Sequence, residues 1–309
     1  MIKSSSKIWR ASPCPLCGDQ LAHPVYYLAE GRYVKCQNCH LVSVDPVPSA
    51  AQMQARADFW AEHYHKTPQK VDQHYSRPFQ KVAFGATLQR LERYRQCGRL
   101  LDVGCGIGGF VHAAQAVGWE SYGVDISPSV EIARAHSLKA LRSTLESAGF
   151  QDGYFDAVTL LDVIEHIPNP RDLIREAARV LRPGGCLYLL TPNLESLSAR
   201  VLQSSWDALE PQDHLALYTQ ATLCNLLSLY HCEPVLIQTL DLNILAWKAI
   251  FSRQRSTEKR KTRQQERRRL IGFLVGSSAL QSIRELVNHG LTLTHWGDKL
   301  IVEANRSRG

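Results

Sequence analysis

From residue 99 onward the chain alternates short apolar runs with stretches of helical periodicity. Runs at 100–103, 122–125, 155–161 and 186–190 have strand length, whereas 109–117, 128–136 and 172–181 repeat apolar positions at helical spacing. Ser127 and Pro128 read as a helix cap and first helical residue, and Gly118 and Gly184 as helix stops. Strands alternating with helices predict βαβ units, hence a parallel sheet with helices on both faces. Runs at 235–240 and 299–302 are expected to pair late in that sheet, with a mostly helical insertion at about 242–294 between them. Upstream, periodicity predicts helices over 50–65 and 82–95, broken by Pro68 and Pro78. The expected organisation is an N-terminal unit at 10–48, a helical connector or cap at 49–96, and an α/β domain at 97–309. Residues 45–48, Asp-Pro-Val-Pro, form the extended exit from the first unit.

Composition narrows the class. With 44% hydrophobic and 21% charged residues among 309, the chain has enough apolar surface to fold, which excludes wholesale disorder. No apolar segment follows the first residues, so no secretion signal is expected, and the near-apolar run 270–280 is too short to cross a bilayer. The expected location is cytoplasmic. The net charge of +7 is local: residues 253–269 hold nine Lys/Arg against Glu258 and Glu266, and the remainder is neutral. Such a segment reads as a solvated helix face, a contact for an anionic membrane surface or anionic substrate, or an RNA contact. The lack of interleaved aromatics weakens the RNA reading. Peripheral attachment at the inner membrane is the alternative location that the segment raises.

Four of the nine cysteines form Cys14-x2-Cys17 and Cys36-x2-Cys39. Two residues between cysteines let both thiolates of a knuckle face one ion, and two knuckles complete a tetrahedron around Zn²⁺. Four protein ligands leave no position for water, so such a zinc is structural; paired disulfides or chance spacing are the alternatives. Gly18 stands where the first knuckle calls for positive φ. Cys97, Cys105, Cys186, Cys224 and Cys232 are scattered and expected as buried free thiols.

The stretch Leu101-Asp102-Val-Gly104-Cys105-Gly106-Ile-Gly108-Gly109 leaves one predicted strand and enters a helix. Glycines there permit a tight turn and let a ligand approach the backbone. The spacing of Gly104, Gly106 and Gly109 also satisfies a dinucleotide-binding pattern, and Asp125 ending the next strand suits ribose hydroxyls in either case. Asp102 tilts the choice: its carboxylate repels a pyrophosphate but attracts a cationic ligand such as S-adenosylmethionine (SAM).

Five motifs then occur in order: residues 101–108; Gly123-Val-Asp125; Leu161-Asp-Val-Ile-Glu-His166 with Pro168-Asn-Pro170; Leu181-Arg-Pro-Gly-Gly185; and Thr191-Pro-Asn193. Together they resemble the class I SAM-dependent methyltransferases, in the ubiquinone-O-methyltransferase-like branch, over about residues 97–241. The cysteine unit resembles the zinc-ribbon front end of bacterial methyltransferases of that branch. The implied fold is a Rossmann-like, doubly wound α/β sheet with an N-terminal zinc ribbon and a helical insertion before the last strand. By resemblance, Asp102, Gly104, Cys105, Gly106 and Gly108 surround the methionine part of SAM. Asp125 takes the ribose, Ile126 flanks adenine, Leu145 and Glu146 meet its edge, and Asp162 and Val163 line the methyl-donor side. Some quinone methyltransferases of the group have Glu where Asp162 stands and use the Glu and His of the same motif near a divalent ion. The shorter Asp162 departs from that pattern, so Mg²⁺ on Asp162, Glu165 and His166 is an alternative to plain hydrogen bonding. Asp156 is expected to fix the start of its strand.

His214 beside Asp213 has the make-up of an oriented base, and His166 and His214 are the candidate catalytic histidines. The expected activity is SAM-dependent methyl transfer to a small-molecule acceptor, by resemblance a hydroxyl of a sugar-containing or polysaccharide precursor. The rivals are an rRNA or tRNA methyltransferase and a non-enzymatic SAM-binding regulatory protein.

Overall fold

The structure, a computed structural model, describes residues 8–242, 287, 288 and 290–307. The basic segment 253–269, the run 270–280 and most of the expected helical insertion therefore lie outside the described residues.

The N-terminal unit consists of β1 (Ile8–Trp9), β2 (Leu21–Leu28), β3 (Gly31–Cys36) and β4 (Val42–Val44) in an antiparallel meander. Three helices follow: α1 (Ala50–His65), α2 (Pro68–Tyr75) and α3 (Arg77–Leu91), the last extended by a 3-10 turn, Glu92–Tyr94. The prolines expected to break this region instead begin its helices, Pro68 opening α2 and Pro78 lying in the first turn of α3. First-turn N–H groups have no intrahelical partner, so proline costs nothing there, and α3 starts five residues before the expected Val82.

The α/β domain runs β5 (Arg99–Val103), α4 (Gly109–Ala116), β6 (Glu120–Asp125), α5 (Val130–Ala135), β7 (Lys139–Arg142), β8 (Phe155–Leu161), α6 (Pro170–Val180) and β9 (Leu181–Pro192). It continues with α7 (Leu197–Leu202), β10 (Ala216–Leu217), α8 (Gln220–Ser228), β11 (Cys232–Leu240) and β12 (Lys299–Arg306). Seven strands form one sheet in the order β11-β12-β9-β8-β5-β6-β7. The pairs among β7, β6, β5, β8 and β9 are parallel, and β12 inserts antiparallel between β9 and β11. The two late runs thus pair as their pattern predicts. Three local expectations shift. Ser127 does not cap α5 but accepts the N–H of Ser129 in the turn before it. Gly184 does not stop α6, because Leu181 already pairs with Phe155 in the sheet. Cys97 is exposed and Cys224 half-buried, whereas Cys105, Cys186 and Cys232 are buried.

Both sheet faces are covered. Leu101, Val158, Leu160, Leu187 and Leu189 meet Leu173, Ile174 and Ala177 of α6 and Leu223 and Leu227 of α8. On the other face Leu100, Tyr188 and Ile301 meet Phe110 of α4 and Leu88 and Leu91 of α3. Burial of this apolar surface, at about 25 cal/mol per Å², is the main force holding the layers. Asp156, as expected, holds the start of β8: it accepts the N–H groups of Gly98 (2.6 Å) and Gln96 (3.1 Å) and the Nε of Arg182 (2.6 Å).

Candidate functional site

The glycine loop leaves the carboxyl end of β5 and enters α4, the place where open α/β sheets bind ligands. Its glycines differ in purpose. A Cβ on Gly104 would collide with the side chain of Val163, and one on Gly108 would come within 2.7 Å of Ala133 and Leu138, so both are set by packing. A Cβ on Gly106 would meet nothing, so the loop faces open space there. Gly104, Gly106 and Gly108 all have left-handed φ, at 74°, 52° and 81°. Cys105 is buried, and its sulfur lies where a Cβ on Gly123 of β6 would need to be.

Two carboxylates flank the loop. Asp102 is buried and accepts the hydroxyl of Thr159 at 2.7 Å; burial, with the neighbouring Asp125 adding to it, pushes its carboxyl up to about 7. Asp125 accepts the N–H groups of Gly106 (2.8 Å) and Ser127 (2.7 Å), so it fixes the loop; burial still raises its pKa against those bonds. Ile126 is an exposed apolar side chain following Asp125, whereas Leu145 is buried and Glu146 exposed. Sequence reasoning missed Tyr75 of α2. Its hydroxyl donates to the carbonyl of Ile107 in the loop, and its ring stacks on His136 with centroids 3.8 Å apart.

A second constellation follows the carboxyl end of β8. Asp162, at φ 55°, pairs with Lys299 of β12, and Val163 stands against Gly104. Glu165, His166 and His214 offer ligand atoms within 4.8 Å of one another, and the two imidazole centroids are 4.9 Å apart. The expected pairing of Asp213 with His214 is not the one found. Asp213 carries the bonds to His166, whose Nδ1 lies 2.8 Å from its carbonyl and 3.4 Å from its carboxylate. His214 turns the other way, its Nδ1 lying 2.7 Å from the Ala208 carbonyl. The cause is local: the N–H groups of Asp213 and His214 both donate to the Glu210 carbonyl in a turn that sends the two side chains to different partners. With each Nδ1 facing a carbonyl, each Nε2 is left to accept a proton or bind a metal.

Electrostatics separates the histidines. Burial pulls His166 down, but the Asp213 and Glu165 carboxylates outweigh it and push it up to about 9. Burial and the adjacent His166 hold His214 down at about 4, so it is neutral at pH 7. Burial pushes Glu165 up to about 7; one of its oxygens accepts Thr191 at 2.9 Å, and the other is buried without a hydrogen-bond partner among the described residues. That orphan beside two imidazoles fits either a proton or a cation. One carboxylate and two imidazoles suit a first-row transition ion better than Mg²⁺, which prefers oxygen, and Asp162 is engaged by Lys299 instead.

The four cysteines of the N-terminal unit converge, with Cys14 and Cys39 sulfurs 3.5 Å apart and Cys17 and Cys36 also 3.5 Å apart, none in a disulfide. A tetrahedral zinc with Zn–S near 2.3 Å spaces its sulfurs by about 3.8 Å, so the cluster fits that ion. The bond between the Cys14 and Cys39 sulfurs lowers the Cys14 thiol and raises that of Cys39, so the pair shares one proton that a metal would displace. Gly18 has the positive φ its position implied (78°), and His40 adopts the equivalent conformation (63°) after the second knuckle.

Residues 76–236, just over half of the chain, match the methyltransferase-domain family. The chain belongs to the class I SAM-dependent methyltransferases. The ubiquinone biosynthesis O-methyltransferase of Xanthomonas campestris pv. campestris is 41% identical over 103 residues, 31% of this methyltransferase and 43% of that protein. The namesake from Xanthomonas oryzae pv. oryzae is 40% identical over the same length. The match thus spans under half the length of these curated relatives. Two solved structures share the fold. One is a chain from the complex of the Haloferax volcanii Trm112 methyltransferase activator with a methyltransferase (TM-score 0.53, 18% identity, 83% of this chain and 98% of that one). The other is a SAM-dependent methyltransferase of Thermotoga maritima described as a possible histamine N-methyltransferase (TM-score 0.50, 18% identity, 82% and 100%).

Proposed function

We propose that this methyltransferase moves a methyl group from SAM to a hydroxyl oxygen of a small molecule, a sugar-containing or polysaccharide precursor. The observation that carries the reading is that an acid-flanked glycine loop and the Glu165–His166–His214 cluster stand together at the carboxyl edge of one sheet, joined by the Gly104–Val163 contact. The curated relatives, named for ubiquinone biosynthesis, support a small-molecule acceptor.

When bound, SAM supplies an electrophilic methyl group on sulfur. Asp102, Gly104, Cys105, Gly106 and Gly108 hold its methionine part, and Asp102 gains a cation that offsets its burial. Asp125 accepts the ribose hydroxyls, and Ile126, Leu145 and Glu146 border the adenine. Asp162 and Val163 line the approach to the methyl carbon. SAM would supply both the methyl carbon and the thioether leaving group, and Nε2 of neutral His214 would take the acceptor hydroxyl's proton while His166 stays protonated. Aligning the displacement is the larger contribution, because the leaving group is already activated. The orphan Glu165 oxygen supports a second arrangement, in which Glu165, His166 and His214 hold a divalent ion that acidifies the acceptor hydroxyl. Cys14, Cys17, Cys36 and Cys39 hold one structural zinc.

Labelled SAM offered with panels of sugar nucleotides, quinols and transfer RNA tests the reading. Transfer to a small hydroxyl compound is expected, reduced about 10²–10⁴-fold in kcat by His214→Ala. Transfer confined to RNA, or no transfer to any acceptor, would overturn it.

A further inference from the structure

The zinc-ribbon unit is joined to the methyltransferase domain through the loop that carries the candidate base. Strand β10, which belongs to the methyltransferase domain, completes the ribbon sheet, pairing Ala216 with Ser43 and Leu217 with Val42. The Val44 N–H donates to the Leu215 carbonyl at 2.9 Å, and the Leu215 N–H donates to the Glu165 carbonyl at 2.6 Å. Both bonds are made by Leu215, and the residue before it is His214, whose carbonyl accepts the hydroxyl of Tyr33, a fully buried residue of β3, at 2.7 Å. On the other flank Arg56 of α1 donates to Asp213 at 3.1 Å and lies 3.5 Å from Glu210. Asp213 in turn holds His166. Both histidines are therefore held from the N-terminal part of the chain, His214 by Tyr33 and the β4–β10 pairing, His166 by Arg56 through Asp213. The glycine loop receives neither set of bonds.

We infer that the zinc ribbon and α1 are positioning elements of the acceptor side of the site, with Tyr33 setting His214 and Arg56 setting the Asp213–His166 pair. The inference rests on the methyltransferase reading only for the word acceptor; the coupling itself is a statement about the two histidines. The cysteine cluster orders the end of β3, since Cys36 is both a ligand candidate and the last residue of the strand that carries Tyr33. Folding energy from the metal thus reaches His214 along one short strand.

Nitrogen-15 spectra of histidine-labelled full-length protein at fixed neutral pH, with zinc measured in the same samples, test this. Tyr33→Phe keeps the buried ring and removes only the hydroxyl; it should shift the His214 imidazole signals while S-adenosylhomocysteine binds within about twofold of wild type. Arg56→Gln, at a partly exposed position, should move the His166 signals with the same sparing of S-adenosylhomocysteine. Removal of zinc by chelation should disturb His214 as Tyr33→Phe does. Unchanged histidine signals in both variants would overturn the inference, as would loss of S-adenosylhomocysteine binding in step with the histidine changes, which would mean general loosening. If wild type binds no S-adenosylhomocysteine, the methyltransferase reading fails, and the histidine spectra still decide the coupling.

Discussion

Gly104 and Gly106 stand two residues apart with similar backbone conformations, yet substitution should affect them differently. Alanine at Gly104 meets both the left-handed φ and the Val163 side chain, whereas alanine at Gly106 meets only the former. Each left-handed alanine costs about 1–2 kcal/mol, and overpacking adds about 1–3 kcal/mol at Gly104. Gly104→Ala should therefore lower the urea midpoint clearly more than Gly106→Ala, and equal losses would show that Val163 yields freely. Asp102 carries a pH prediction. Its folded pKa of about 7 lies above the ordinary 3.8, so the folded protein binds this proton more tightly than the unfolded chain does. Its contribution to stability is accordingly lost as pH rises from about 4 through about 7. The positively charged amine of S-adenosylhomocysteine favours the ionised form, so affinity should climb through the same range and level off above it. Calorimetry across that range should show the climb in wild type and a flat profile in Asp102→Asn; a climb retained in the variant would assign it to another group.

At the scale of elements, α3 is clamped to the sheet by charge as well as by Leu88 and Leu91. Glu303 of β12 is fully buried and accepts from Arg90 at 3.1 Å and from Arg93, while Arg90 also donates to Gln238 of β11 at 2.6 Å. Both arginines reach solvent, so deleting the carboxylate leaves cations that water can serve, and the loss is smaller than for a fully buried pair. Glu303→Ala should cost about 1–3 kcal/mol in denaturant unfolding and speed amide exchange in α3 before α6, which lies on the opposite face. Uniform acceleration across both helices would show that the clamp is not local. The early start of α3 has its own tertiary partner: proline marks a helix beginning as readily as a break, and Gln80, buried in the first turn, donates to the carbonyls of His74 (3.0 Å) and Gly109 (3.3 Å).

For the whole molecule, the charge distribution is uneven enough to act at a distance. Outside residues 253–269 the positive and negative charges balance, so we propose that this segment, if any part of the chain, is what would draw it to an anionic surface. Each Lys or Arg near such a membrane contributes about 1 kcal/mol and is screened within about 8 Å at physiological salt. No helix among the described residues is long and apolar enough to cross a bilayer. Wild-type protein should sediment with anionic vesicles at low salt and release as salt rises. Replacing Lys259, Arg260, Lys261, Arg267, Arg268 and Arg269 with Gln should abolish this without changing S-adenosylhomocysteine affinity. Failure of wild type to sediment even at low ionic strength would leave the segment without a role at an anionic surface.

The sequence by itself determined the alternation of β5, α4, β6, α5, β8, α6 and β9, the glycine loop with Asp102 and Asp125, the four-cysteine cluster, and the role of Asp156. These signals are local or periodic: a strand, a turn or a knuckle is written within a few consecutive residues, and the steric need for glycine can be read from its position. Tertiary structure alone decided the partners of the histidines. His166 takes Asp213 from 47 residues away, and Tyr33 reaches the His214 carbonyl across 181 residues, separations at which no periodicity operates. Asp213 looked like the orienter of His214 because it is adjacent in the chain; the turn on the Glu210 carbonyl gave it to His166 instead. Likewise β10 is two residues long, too short to leave a pattern, and exists as a strand only because the ribbon edge supplies its partner. A hydrogen bond between distant segments depends on where the packed layers bring them, and that is settled by the summed burial of the core.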